Sequence, residues 1–361
     1  MSSTTDRKLK VALFGLGRLG AIRANILVNL QPDIELVAAS DPKPGADQWA
    51  AQNLPPTVKF FADPVECLEK GGAEAVLIST ATATHAPLVL KALDLGLHVM
   101  CEKPIAVDVE TTKKVVEKAK SKPELKFLVP FCRRYDDSYR SMKKLVEAGQ
   151  LGEIHAVDST CLDQQDPTGF FVTFSAQSGG IFVDMGVHDI DIARYYLDVT
   201  RGLTNPKKQV NRVFALGQTA VYTDLQKYAD ADNGFAMVEF ANGKLLTFHL
   251  GRTLTNGFES ATRVFGTKGS AIVNGNSFTD RVEVRDQHGV RTATTPDAFV
   301  LYEKSFVNDL KEFSTSILHD KPLTLTPDDA LEAAKIATAL QYSFRKGVPV
   351  YFNEEGDPIT E

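Results

Sequence analysis

Residues 10–24 read KVALFGLGRLGAIRA, and this stretch decides the first half of the fold. Val11 to Phe14 are a continuous apolar run, as expected of a strand buried on both faces, and the run ends at Gly15-Leu16-Gly17-Arg18-Leu19-Gly20. The residues that follow, RLGAIRANILVNL, have the apolar spacing of an amphipathic helix. A strand, GxGxxG and a helix in that order predict a dinucleotide-binding turn. Gly15 permits the tight bend, Gly17 leaves room for a pyrophosphate against the backbone, and Gly20 lets the helix pack close to the strand. The free N–H groups at the start of the helix then face the phosphates. Asp41 ends a second predicted strand, ELVAASD, about 20 residues further on, where a carboxylate accepts hydrogen bonds from the adenosine ribose hydroxyls. A carboxylate there repels the extra phosphate of NADP and favours NAD. Ser40 and Lys43 beside it are phosphate-binding types, which keeps NADP open as the alternative.

The alternation continues outward from this unit. AEAVLIST and HVMCEKP read as buried strands, and HAPLVLKALDLG and VETTKKVVEKAKSK as helices, so a parallel sheet with helices on both faces is expected over residues 1–130. Beyond SYRSMKKLVEAGQLG the texture changes to strands joined by short turns, such as FAMVEF and LLTFHLG around Asn242-Gly243. One strong helix, VDMGVHDIDIARYYL over residues 183–197, interrupts them, and two more over 302–320 and 327–347 close the chain. The predicted fold is therefore α/β: a Rossmann-type domain over 1–130, then an α+β domain over 131–361 with a large open, mostly antiparallel sheet.

Composition narrows the function classes. The net charge of -6 leaves no basic footprint for nucleic acid. No apolar run approaches the roughly 20 residues that cross a bilayer, and the polar start MSSTTDRKLK has no secretory core, so no membrane is expected and the cytoplasm is the default. Cys67, Cys101, Cys132 and Cys161 form no CxxC pair and are read as reduced, mostly buried thiols.

Two further stretches carry candidate chemistry. Glu102-Lys103-Pro104 follows a predicted strand at the carboxyl edge, where open α/β sheets bind ligands. Lys103 there can hold a substrate hydroxyl and favour the ionised form of a neighbouring acid. In the 183–197 helix, Asp184 and His188 are one turn apart on one face. The apolar residues Ile190, Ile192, Ala193, Tyr196 and Leu197 predict a half-buried helix, and because an acidic first turn also suits a helix dipole, caps and solvated charges are the alternative to a site. Asp191 reads as a capping or supporting group. With a single imidazole and no cysteine in the cluster, no metal is expected.

GLGRLG, STATATHAPLVLKALDLGLHVMCEKPIA and DMGVHDID together resemble the glucose-fructose oxidoreductase/inositol dehydrogenase/rhizopine-catabolism (Gfo/Idh/MocA) family of NAD(P)-dependent dehydrogenases. The resemblance runs over nearly the whole chain. PFCRRYDDSY is most similar to the corresponding stretch of inositol 2-dehydrogenases. The resemblance implies catalysis by Lys103, Asp184 and His188 on a secondary alcohol of a cyclic polyol or sugar, with His188 as general base. It implies cofactor contacts from Gly15, Gly17, Arg18, Leu19, Asp41, Thr80, His85, Glu102 and Lys103, and substrate contacts from Lys103, Arg133, Asp163, Asp184 and His188. It also implies a cis bond between Lys103 and Pro104 and, because relatives cover the open sheet by pairing subunits, a homodimer or homotetramer. Where inositol enzymes have His-x-Asn on the first strand of the second domain, this chain has Cys161-Leu162-Asp163. Asp163 can bind a hydroxyl, but Cys161 cannot make the hydrogen bonds of a histidine, so another cyclic polyol or an aldose fits as well as inositol, and reduction of a ketose stays open as the reverse direction. The contrasting class is a non-enzymatic dinucleotide-binding regulator of the same fold, which needs no Lys, Asp and His together.

Overall fold

In the computed structural model, residues 7–276 and 278–360 are described. Leu9–Phe14 (β1), Ile34–Ser40 (β2), Lys59–Phe61 (β3), Ala75–Ile78 (β4), His98–Cys101 (β5) and Phe127–Leu128 (β6) form one parallel sheet in the order β3-β2-β1-β4-β5-β6. Leu9, Val11, Leu13, Phe14 and all of β4 are buried because helices cover both faces. The chain reverses its direction of travel across the sheet between β1 and β4, the switch point where such sheets bind ligands at their carboxyl ends.

By packing, the chain divides into two units, residues 1–135 with 304–331, and residues 136–303 with 332–361. Segment 304–331, which linear order places in the second domain, thus belongs to the first unit. A buried charge cluster links the two. Arg23, on the helix Arg18–Asn29, donates to both oxygens of Asp309 at 2.7 and 2.8 Å, and Gln31 donates to the Val307 carbonyl at 2.7 Å. Both partners lie on the helix Glu303–Leu318.

The second unit is built on Ile154–Gln164 (β7), Val210–Gln218 (β8), Asn233–Phe240 (β9), Leu245–Leu254 (β10), Glu259–Gly266 (β11) and Gly269–Val273 (β12). Phe278–Asp286 (β13) and Gly289–Thr294 (β14) pair apart from it as a hairpin. Val350–Phe352 (β15) and Pro358–Ile359 (β16) complete the main sheet, whose order among the described residues is β12-β11-β7-β10-β9-β8-β15-β16. All neighbours are antiparallel except β7 and β10, so the expected open, mostly antiparallel sheet is present. The Asn242-Gly243 turn joins β9 to β10, with Gly243 at a φ of 81°.

One face of this sheet is core. Ala236, Val238, Phe240, Leu246, Phe248 and Leu250 are buried, and the helix Gly186–Leu197 packs against β7 and β10. That helix is buried more completely than its period predicts. Ile190, Ile192, Ala193 and Leu197 are fully buried, but so are Asp189 and Asp191, and Ser159 donates to Asp189 at 2.5 Å. The solvated-charge alternative is therefore excluded for Asp189 and Asp191: both lie inside, and at Asp189 the Ser159 hydroxyl takes the place of water. Two short helices that periodicity did not reveal, Phe170–Ser178 and Ile181–Asp184, precede it. Asp184 consequently ends a helix rather than starting one.

Candidate active site

In the first unit, the Gly-rich turn leaves β1 for the helix Arg18–Asn29. Gly15 has a φ of 85°, and a Cβ there would strike the Ser79 carbonyl oxygen. A Cβ on Gly20 would strike the Gly15 carbonyl. Gly17, in contrast, is exposed and a Cβ there would meet nothing within 4 Å. Packing thus accounts for two of the glycines and leaves the third open, which is what close approach of a bound phosphate requires. Among the described residues no side chain caps the helix at Gly17, and a helix start of this kind presents N–H groups to an anion. Arg18 is exposed and Leu19 half-buried beside them. Asp41, at the end of β2, accepts from the Leu16 amide at 2.7 Å and from the Lys43 amide at 2.8 Å, which ties the acid to the glycine turn. This donor set fits a dinucleotide: amides for the pyrophosphate and a carboxylate for the ribose.

The carboxyl ends of β4 and β5 complete this half. His85 is buried, with Nδ1 2.8 Å from the Pro104 carbonyl and Nε2 3.0 Å from the Thr80 carbonyl. It joins the two loops, and the Lys103-Pro104 bond is cis. Glu102, expected against the cofactor, accepts from Arg23 Nε at 3.0 Å and Nη2 at 2.7 Å. Its side chain therefore belongs to the buried cluster with Asp309, a role that the EKP motif did not signal. Lys103 is half-buried and Arg133 is buried on the 3-10 turn Cys132–Tyr135. Burial pushes the Cys132 thiol up to about 12, and the positive charges of Arg133 and Lys103 oppose that rise.

In the second unit, Asp184 is buried and receives Arg252 Nη2 on both carboxylate oxygens at 2.6 Å each. The short helix that carries it is pinned at its start: Ile181 N–H donates to Asp230 at 2.9 Å and Phe182 N–H to Gln341 at 3.2 Å. Asp230 in turn accepts from Ser175 at 2.6 Å. Met185 separates this helix from Gly186–Leu197, and His188, one turn after Asp184, is half-buried. Asp163 is half-buried near the end of β7 with Cys161 buried on the same face. Arg252 lies where the β7–β10 register slips between Gly251 and Leu254. It was not anticipated. The available signal was a lone arginine inside the apolar run LLTFHLGRTL, since arginine is seldom fully buried without a partner.

Comparison with known proteins agrees with this architecture. Residues 9–129 match the family described as an oxidoreductase family with an NAD-binding Rossmann fold, and residues 139–272 match the GFO/IDH/MocA C-terminal domain. The chain belongs to the Gfo/Idh/MocA oxidoreductases, whose cofactor is NAD. It is 30% identical to a scyllo-inositol 2-dehydrogenase (NAD(+)) of Bacillus subtilis, over 96% of each chain. A myo-inositol 2-dehydrogenase of Thermotoga maritima is 29% identical over 94% of this chain and 96% of its own. A crystal structure of scyllo-inositol dehydrogenase from Lactobacillus casei with bound NAD(H) and scyllo-inositol superposes with a TM-score of 0.89 at 30% identity, covering 96% of this chain and 99% of that one. No helix among the described residues is long and apolar enough to cross a membrane.

Proposed function

We propose that this protein is an inositol-type polyol dehydrogenase, which oxidises a secondary alcohol of a cyclic polyol with NAD as acceptor. The observation that carries the reading is the buried carboxylate of Asp184, held on Arg252 one turn before His188, in a chain of this family. Oxidation removes a proton from the hydroxyl oxygen and a hydride from its carbon. His188 accepts the proton as general base, the commonest role of an imidazole in such proton transfers. Asp184 accepts a hydrogen bond from a substrate hydroxyl and favours the imidazolium that forms. Lys103 donates to the reacting oxygen and stabilises its developing negative charge. Bound NAD supplies the hydride acceptor. Asp163 and Arg133 bind the remaining hydroxyls.

NADH formation across scyllo-inositol, myo-inositol, other polyols and aldoses tests the proposal. Turnover of at least one cyclitol is expected; silence across the panel with intact NAD binding would favour a non-catalytic regulator. In a His188→Ala variant kcat falls by at least about 100-fold while NAD binding persists.

A second copy of the chain covers the outer face of the large sheet in this reading. That face presents Leu216, Phe235 and Met237, each 52–59% exposed, around a groove of about 460 Å³. Apolar side chains exposed side by side favour association. Sedimentation at micromolar concentration should give a dimer or tetramer, and Met237→Glu should shift it toward the monomer.

A further inference from the structure

Arg252 is a residue to which the resemblance assigns no part, and its setting differs from that of a pair built for stability. It is 1% exposed, on β10, with its backbone N–H on the Asp232 carbonyl at 2.9 Å. The ring of Phe171 lies 4.9 Å from its guanidinium carbon and closes one side against water. A guanidinium has five N–H donors in a planar fork and usually meets a carboxylate through two nitrogens. Here a single nitrogen, Nη2, reaches both oxygens of Asp184, while Nε and Nη1 are buried with no hydrogen-bond partner among the described residues. Leaving donors buried and unused costs free energy, so the arrangement serves the placement of Asp184 rather than the strength of the pair.

Charge points the same way. Asp184, Asp230 and Asp163 all act on Arg252, and they come from three different elements: the helix Ile181–Asp184, the loop before β9, and β7. Asp230 is already held by the Ser175 hydroxyl and the Ile181 N–H. Asp184 is the acid on which Arg252 acts directly, and His188 follows it by one turn. Removing the cation would leave that buried carboxylate without the guanidinium it meets at 2.6 Å, and both burial and the lost counter-charge favour the protonated form.

We propose that Arg252 is a positioning residue for the oxidation: its guanidinium keeps Asp184 ionised and fixed in direction, so that the carboxylate can accept a substrate hydroxyl beside His188. This rests on the polyol-dehydrogenase reading. A protonated or swung Asp184 would misplace the alcohol, and misplacement of about 1 Å costs on the order of 100-fold in rate.

The test compares Arg252→Gln and Arg252→Lys with the wild type, using the cyclitol that the wild type turns over fastest and NAD. In Arg252→Gln, kcat is expected to fall at least about tenfold, with the NAD dissociation constant, read by fluorescence titration, unchanged within about twofold. The acid limb of the kcat/KM profile should move to higher pH, or steepen from one proton to two as Asp184 begins to titrate alongside His188. Arg252→Lys, which keeps the charge, should restore the limb more than the rate, and it serves as the primary variant if Arg252→Gln does not fold. A folded variant that binds NAD and keeps both the wild-type kcat and the wild-type acid limb would overturn the proposal. Failure of the wild type on every polyol would instead refute the enzymatic reading, and the placement is then read from unfolding alone. Arg252→Gln should lose stability as pH rises through the range in which the uncompensated Asp184 ionises, where the Arg252→Gln/Asp184→Asn double variant does not; parallel profiles would overturn it.

Discussion

Replacing Asp309 by asparagine probes the charge cluster beneath the nucleotide-binding helix. Arg23 is fully buried and serves two carboxylates, Asp309 at 2.7 and 2.8 Å and Glu102 at 3.0 and 2.7 Å. With both acids ionised the cluster holds one buried negative charge in excess, which is costly in a medium of low polarity. Burial raises Asp309 from 3.8 to about 6; Arg23 opposes the rise and the charge of Glu102 adds to it. Because the folded value lies above the unfolded one, the folded state binds the extra proton between them. The resulting stability is fully present below about pH 4 and is lost as pH rises through about 6. Between pH 5 and pH 7.5 these two values correspond to about one pKa unit, or ~1.4 kcal/mol. The amide of the Asp309→Asn variant cannot titrate but still offers Arg23 an acceptor oxygen. The wild type should therefore gain ~1.4 kcal/mol over Asp309→Asn on going from pH 7.5 to pH 5. Urea unfolding followed by the fluorescence of Trp49, the single tryptophan and part of the same unit, measures this directly. Stability curves that run parallel across that interval would refute the reasoning.

The glycine turn and the Asp184 pair give further expectations. Gly17→Ala meets open space, so its melting temperature should match the wild type while its NAD affinity, measured by calorimetry, falls at least about tenfold as the methyl intrudes on the pyrophosphate. Gly20→Ala forces its methyl into the Gly15 carbonyl, and loss of stability should accompany loss of binding. Asp184→Asn leaves Arg252 buried without its counter-charge and should cost about 3–5 kcal/mol in urea unfolding, well beyond a surface Asp→Asn exchange such as Asp198→Asn.

Local chemistry made the nucleotide half legible. Apolar runs of β1, β4 and β5, glycines at fixed offsets and an acid closing β2 are short-range signals, because each reflects a constraint that neighbouring residues impose on one another. Lys103, Asp184 and His188 could be nominated in the same way, by motif and by helical spacing. The antiparallel strands of the second unit were legible from alternation and from the Asn242-Gly243 turn.

Partnership between distant residues was not legible. Nothing near Arg23 in the chain points to Asp309, and nothing near Asp184 points to Arg252, since these ion pairs span 286 and 68 positions. The return of 304–331 to the first unit, the parallel contact of β7 with β10 and the burial of Asp189 and Asp191 have the same origin. A sequence states what each segment prefers alone, by propensity and period. Which charges share a buried space depends on how the sheets and helices pack, and only the tertiary structure decides that, because the cost of burying a charge is set by what folding brings beside it.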